Sequence, residues 1–293
     1  MKMNIKEILK SYALDFDKDL KVFLNKKIFR TKLDRAIKYS LTIGGKRIRP
    51  VIVRLVSESL GLKKSDYKQI ALASELLHTY SLVHDDLPQM DNDDYRRGKL
   101  ATHKKFDEAT AILSGNSMFS MAVEVLTKNT NNQNHKRSLE IINLLTGIAG
   151  TNGLALGQSL DLEIPKKNFS KNKIIEIYEL KTSRLFEFCI LSPIILAGSD
   201  KKLLNEGKLY SKNLGLIFQI TDDILDAKSN FKTLGKKTNK DIVKNHLLNH
   251  ISFNQAHKIC TDLIYESTNR KSFFGEKNPF FKKFLNFLLE RKY

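Results

Sequence analysis

Ile70-Ala71-Leu72-Ala73-Ser74-Glu75-Leu76-Leu77-His78-Thr79-Tyr80-Ser81-Leu82-Val83 runs straight into His84-Asp85-Asp86-Leu87-Pro88-Gln89-Met90-Asp91. Apolar residues recur at three and four spacing through the first run, which predicts a helix packed into a core. Carboxylates at the end of such a helix are costly unless something positive neutralises them. Pro88 removes a backbone donor, so the helix ends or distorts there and Asp91 can turn back toward Asp85 and Asp86. A second string, Gln219-Ile220-Thr221-Asp222-Asp223-Ile224-Leu225-Asp226, closes another apolar helical stretch. On a helix Asp222 and Asp226 share a face at i and i+4, with Asp223 beside them. Oxygen ligands without cysteine suit a hard cation such as Mg2+, which takes one or two carboxylates, keeps water and shares phosphate oxygens. Two such clusters facing one cavity would hold a diphosphate through metal bridges. The bland alternative is a pair of solvated acidic helix ends.

Outward from these strings the chain stays helical. The windows Ile70 to Val83, Ala109 to Leu126, Leu139 to Ile148, Ile174 to Leu191 and Leu209 to Leu225 all carry the helical period, and clean alternation at period two is missing. Loops are expected at Gly61, Asn129 to Asn134, Gly198-Ser199-Asp200 and Ser229 to Asn239. At 293 residues, with no Pro/Gly/Ser linker, low-complexity block or clear repeat, the expectation is an all-α chain forming a single domain over 1–293.

Cations accompany the carboxylates. Gly44-Gly45-Lys46-Arg47-Ile48-Arg49-Pro50 places three positive charges beside a glycine pair, and Arg96-Arg97-Gly98 follows the first acidic string. Arginine suits bidentate contact with phosphate, and lysine acts as a movable point charge. The glycine pair lacks the longer spacing of a Walker loop. Taken alone, Lys46 to Arg49 reads as a solvated basic face.

Together these strings resemble the trans-prenyl diphosphate synthases, most closely the bacterial farnesyl diphosphate synthases. The resemblance runs in order over nearly the whole chain. It takes in Gly44 to Pro50, then Glu75 to Arg97 with four residues between Asp86 and Asp91, then Gly157-Gln158, Lys181-Thr182, Phe218 to Asp226, and Gly235-Lys236 with Lys240-Asp241. It implies an antiparallel helical bundle around a central cavity. Lys46, Arg49, His78 and Arg97 are then the cradle for isopentenyl diphosphate. Arg96, Lys181 and Lys236 bind the allylic diphosphate. Two or three Mg2+ ions bridge that diphosphate to Asp85, Asp91 and Asp222, with Asp86, Asp223 and Asp226 completing or supporting the shell. Thr182 and Gln219 supply neutral oxygens near the developing allylic cation, so that Lys181, Thr182 and Gln219 form the catalytic group. Lys240 and Asp241 order a closing loop.

The implied reaction needs no protein nucleophile: the diphosphate leaves, the double bond of isopentenyl diphosphate attacks, and the released diphosphate takes the last proton. Tyr80 lies five residues before Asp85, about one and a half helical turns, with Ser81 four before. An aromatic ring there floors the pocket in similar family members and stops growth near fifteen carbons, which favours farnesyl diphosphate over the longer geranylgeranyl product. Three features depart from the family pattern: Asn116 where Asp is usual, Ser183 where Gly is common, and Lys244 to Leu248 without the usual Thr-Tyr pair. All six carboxylates stand.

The net charge of +18 comes from Lys and Arg spread through segments with no motif. No zinc-finger spacing or aromatic-basic RNA signature accompanies it, so nucleic acid is not an expected partner. The expected partners are small diphosphates and, as the resemblance implies, a second copy of the chain in a homodimer. Met1 to Leu20 holds four carboxylates and no uninterrupted apolar core. No run reaches the ~20 uninterrupted apolar residues of a membrane span. The expectation is therefore a cytoplasmic protein with no stable membrane insertion, whose apolar, basic stretch Phe280 to Leu289 packs as a last helix. Cys189 and Cys260, without CxxC spacing, read as buried free thiols. Two rival classes stand beside the synthase. His84-Asp85 resembles the dyad of metal phosphohydrolases, with His78, His103 or His246 as further ligands. A regulatory helical subunit would keep the fold without the chemistry.

Overall fold

The computed structural model describes residues 4–25, 30–128, 135–163, 169–234, 247–268 and 271–291, the side chains of 228–234 excepted. The described chain is all-α, as its periodicity predicts. Its only strands among the described residues are the two-residue pair β1 (Tyr95–Arg96) and β2 (Lys99–Leu100), antiparallel in register Tyr95 to Leu100. It packs as two compact units, Met1–Thr146 with Phe188–Ser199, and Gly147–Glu187 with Asp200–Tyr293.

The first unit is built on α4 (Lys64–Asp85), which packs against α1 (Ile5–Asn25), α2 (Lys32–Thr42), α3 (Ile48–Ser59) and α6 (Glu108–Thr127). Ile70, Ala73, Ser74, Glu75, Leu76 and Leu77 are all buried, so α4 is covered on most of its circumference, as a central helix must be. Thr31 caps α2 in a full capping box with Asp34, and Asp107 caps α6 through the Thr110 amide. The short α5 (Thr102–Lys105) links β2 to α6. Helix α6 is long and apolar enough to cross a membrane by length and composition. Half of that window is buried inside the protein, against α4 and α2. A second such stretch, His135–Asp161, is interrupted by the turn between α7 (His135–Ala149) and α8 (Leu154–Asp161).

The second unit is built on α11 (Lys201–Leu234), which packs against α9 (Lys171–Tyr178), α12 (Phe253–Ser267) and α13 (Pro279–Glu290). Tyr210 stacks on Phe274 at 4.4 Å between ring centroids and meets Phe281 edge-on at 5.6 Å, anchoring α13 through its buried Phe281, Phe284 and Leu285. The C-terminal apolar stretch thus packs as a last helix. Between α9 and α10 (Arg184–Ala197), Glu179–Ser183 form a single π-helical turn. Such turns insert one extra residue per turn and often mark functional positions.

One loop expectation changes in part. Ser229 to Leu234 continue α11 rather than opening a loop: polar Ser and Asn suggest a break, but this segment holds no Gly or Pro to stop a helix. Residues 129–134 and 235–246, with the expected loop sites and Lys236, Lys240, Asp241 and His246, lie outside the described residues. Cys189 and Cys260 are buried free thiols, each pushed up to about 12 by burial.

Candidate active site

In the first unit, α4 ends at Asp85 and the chain turns at once. The Asp91 amide donates to the Asp85 carbonyl at 2.9 Å, and the Asp93 amide to the Asp86 carbonyl at 3.2 Å. Pro88 lies inside this loop, and Asp91 returns to Asp85 as its position demands. The two carboxylates are half-buried, whereas Asp86 is buried at 2% exposure and turned to Arg96. Arg96 donates Nε to Asp86 Oδ1 at 2.9 Å and reaches the same oxygen through Nη2, with Asp93 Oδ2 at 3.2 Å. Burial pushes the Asp86 carboxyl up, and the Arg96 guanidinium opposes that shift. Asp86 and Arg96 thus hold each other on the loop that carries Asp85 and Asp91.

The glycine pair has a geometric reason. Gly44 and Gly45 sit at φ 100° and 138°, a region side chains rarely adopt, and Arg47 and Arg97 at 50° and 54°. The Arg97 guanidinium lies over Gly45, where a Cβ would stand 2.5 Å from Nη1, and Arg97 donates to the Gly44 carbonyl. Arg49 Nη1 donates to His78 Nε2 at 3.1 Å. Burial, then the Arg49 and Arg97 guanidiniums, hold the His78 imidazole well below its ordinary pKa, in the neutral form that accepts this bond. Arg49, His78 and Arg97 therefore form one basic group, with exposed Lys46 beside it on the glycine loop.

Arg47 is the correction here. It is not part of a solvated basic face: it is 5% exposed, donating Nε to Asp17 at 2.8 Å, Nη1 to Glu75 at 2.5 Å and Nη2 to the Leu41 carbonyl at 2.9 Å. Glu75 is equally buried, so the pair joins the start of α3 to α4. The signal was a lone carboxylate in an apolar helix, which demands a partner.

Tyr80 is half-buried on α4, edge-on to His84 at 5.1 Å and tilted against Phe119 of α6 at 5.8 Å. Burial, then the Asp85 charge, push its hydroxyl up. Ser81 donates to the His78 carbonyl at 3.0 Å. His84 directs Nε2 at the Ile112 carbonyl at 3.1 Å, so this nitrogen serves the α4–α6 contact. Asn116 is exposed on α6.

In the second unit the π turn carries Lys181, Thr182 and Ser183. Gly157 of α8 lies against it: a Cβ there would stand 2.7 Å from the Lys181 amide nitrogen, which is why position 157 admits no side chain. Lys181 Nζ pairs with Asp161 at 2.6 Å, a carboxylate four residues past Gly157 that the motif reading passed over. Ser183 is buried and donates to the Lys212 carbonyl at 2.9 Å. On α11, Asp222 is half-buried, Asp226 exposed and Asp223 buried at 3%. Arg291, also missed, donates Nη2 to Asp222 at 2.5 Å and to Thr221 at 2.8 Å, its guanidinium 4.5 Å over the Phe218 ring. Thr182 donates to Gln219 at 3.0 Å, and Gln219 to Asp223 at 3.1 Å.

Among the described residues no three carboxylate, imidazole or thiol groups gather tightly enough to hold an ion alone. The donor set nonetheless fits Mg2+, which needs only one or two carboxylates when phosphate supplies other oxygens. It does not favour the phosphohydrolase: His78 Nε2 is bonded to Arg49 and His84 Nε2 to a backbone carbonyl.

An all-α chain with an aspartate-rich turn, an aspartate-rich helix and basic groups of this kind defines a class that handles diphosphates. Residues 30–268 match the polyprenyl synthetase family, and the chain belongs to it. It is 38% identical over 264 residues to a farnesyl diphosphate synthase of Micrococcus luteus, covering 89% of this chain and 90% of that one. It is 39% identical over 223 residues to a geranylgeranyl diphosphate synthase of Cyanophora paradoxa, covering 75% and 74%. The crystal structure of an FPP/GFPP synthase from Zymomonas mobilis superposes with a TM-score of 0.85 at 30% identity, covering 99% of this chain and all of that one.

Proposed function

We propose that this protein is a Mg2+-dependent prenyltransferase that joins isopentenyl diphosphate to dimethylallyl or geranyl diphosphate, giving farnesyl diphosphate and diphosphate. The observation that carries this reading is the return of Asp91 to Asp85 beside the Arg96–Asp86 pair, in a chain whose second acidic string stands intact on α11. On this reading the chain works as one catalytic domain. Asp85, Asp91 and Asp222 hold two or three Mg2+ ions, with Asp226 beside Asp222 and with Asp86 and Asp223 supporting the shell. When bound, the metal neutralises charge on the departing diphosphate. Arg96, Lys181 and Lys236 orient that diphosphate, and Lys181 exchanges Asp161 for it. Lys46, Arg49, His78 and Arg97 hold the second diphosphate, so the isopentenyl double bond faces the allylic carbon.

As the allylic C–O bond breaks, its electron pair leaves with the diphosphate. The isopentenyl double bond supplies the pair for the new C–C bond, and the released diphosphate takes the proton lost from the resulting cation. Thr182 and Gln219 face the allylic cation as neutral oxygens. Exclusion of water keeps the cation from becoming an alcohol. The enzyme is cytoplasmic and a homodimer on this reading, as the family resemblance supports, with no nucleic acid partner and no stable membrane insertion.

Tyr80, backed by Phe119, is the chain-length floor, with Ser81 beside it. Tyr80→Ala is expected to convert a fifteen-carbon product into one of twenty carbons or more, read by chromatography of dephosphorylated products. An unchanged length would remove Tyr80 from that role. Gly45→Ala pushes the Arg97 guanidinium aside and strains a residue at φ 138°. Its expected effect is a rise of about tenfold or more in KM for isopentenyl diphosphate, with KM for the allylic substrate held, in keeping with loss of a charged hydrogen bond. Equal rises in both constants would show that Arg97 does not discriminate the two diphosphates.

A further inference from the structure

Four side chains of the second unit form one hydrogen-bonded chain whose donors all point toward the Asp223 carboxylate, from Tyr178 on one side and from Thr182 and Gln219 on the other. The Leu247 amide can only donate, and it reaches the Tyr178 hydroxyl oxygen at 3.1 Å. Tyr178 in turn donates its proton to Asp223 Oδ2. The other carboxylate oxygen, Oδ1, accepts from Gln219 Nε2 at 3.1 Å, which fixes the way the amide faces. Gln219 Oε1 is thereby turned to Thr182 and accepts its hydroxyl proton at 3.0 Å. Thr182 has one hydrogen, and it points at Gln219; beyond that bond its oxygen offers lone pairs only. Leu247, Tyr178, Asp223 and Thr182 are all buried, and Gln219 between them is half-buried.

The chain of bonds also separates Asp223 from its neighbours. Asp222 is half-buried and Asp226 exposed, while Asp223 has one oxygen on Tyr178 and the other on Gln219. We propose that Tyr178 and Asp223 are positioning residues that set the polarity of Gln219 and Thr182, so that Thr182 meets the allylic cation as an acceptor and never as a donor. The proposal rests on the prenyl-transfer reading above. An oxygen lone pair aimed at a developing cation stabilises it, whereas an O–H turned outward would oppose it, and a dipole fixed in advance needs no reorientation during the reaction.

Asp223→Asn tests the polarity directly. The new amide can donate to Gln219 Oε1, so Gln219 flips, its NH2 faces Thr182, and the Thr182 hydrogen turns outward. With geranyl and isopentenyl diphosphates, kcat is expected to fall by about 30-fold or more, with both KM values and half-saturating Mg2+ within about twofold of wild type. Affinity for an ammonium analogue of the allylic cation, measured by calorimetry with Mg2+ and inorganic diphosphate, is expected to fall about tenfold. Tyr178→Phe moves the same quantities in the same direction by about fivefold. Tyr210→Phe is the control: it removes another buried hydroxyl of this unit, bonded to the Phe281 carbonyl at 3.1 Å, and leaves kcat unchanged. A raised Mg2+ requirement with unchanged ammonium affinity would make Asp223 a metal ligand and overturn the proposal. Variants at Tyr178 and Asp223 that behave like Tyr210→Phe would overturn it as well, leaving a purely structural network. Absence of condensation by the wild-type protein would sink the prenyl-transfer reading and this proposal with it.

Discussion

Asp222→Ala is expected to lower kcat for condensation by on the order of 10²–10³-fold while the protein stays folded. Asp222 stands one turn before Asp226 on α11, half-buried, with its carboxylate on Arg291 in the free protein. A carboxylate so placed can trade a guanidinium for a divalent ion when diphosphate arrives, because both partners are cationic. Removing it takes away a metal ligand and leaves Arg291 with Thr221 and the Phe218 carbonyl as partners. The Arg291 side chain is 11% exposed but keeps the Thr221 hydroxyl and the Phe218 carbonyl as acceptors, so loss of the pair costs the fold about 1–3 kcal/mol. Kinetics across a Mg2+ titration, set beside a thermal melt, separate these effects. Asp85→Ala should behave alike. Near-wild-type turnover in either variant would mean that the acidic strings do not hold the catalytic metal.

The largest effect on stability is expected at Arg47. Its guanidinium and the Glu75 carboxylate have side-chain exposures of 3% and 2%, and the same arginine also bonds Asp17 and the Leu41 carbonyl. Arg47→Met would strand Glu75 as a buried, uncompensated charge, at a cost of about 3–5 kcal/mol. In a protein of this size that lowers Tm by roughly 10 °C. Arg47→Met combined with Glu75→Leu should recover most of the loss, since removing both charges abolishes the desolvation penalty that a single removal exposes. A small effect of Arg47→Met in calorimetry would mean that Glu75 takes up a proton or finds another donor. Arg47 stands two residues before Arg49, and Glu75 three before His78 on α4, so the single variant should also weaken binding of isopentenyl diphosphate.

The sequence made the helical class legible because α4 and α11 bury apolar residues at a period that no strand shares. It also revealed both acidic strings and the turn at Pro88, since each depends on neighbours within a few residues. What it hid depends on distant partners. Arg47 in a basic run looks solvated until Glu75, in another helix, is brought against it. Arg291 finds Asp222 across nearly seventy residues of chain, and Lys181 finds Asp161 at a separation of 20. The π turn at Glu179–Ser183 was invisible for another reason: the apolar pattern from Ile174 to Leu191 continues through it, and one extra residue does not break a count of threes and fours. Asp223 is chemically identical to Asp222, and only the inward hydrogen bonds from Tyr178 and Gln219 distinguish it. Sequence could likewise not separate Asp86 from Asp85, because that difference is made by Arg96.

The most direct measurement is incubation of the wild-type protein with Mg2+, labelled isopentenyl diphosphate and geranyl diphosphate, with products sized by chromatography and phosphate release followed in parallel. A fifteen-carbon prenyl diphosphate, formed with one diphosphate per bond and abolished by chelation of the metal, is the predicted result. Phosphate release without chain growth, or no turnover at all, would contradict the account.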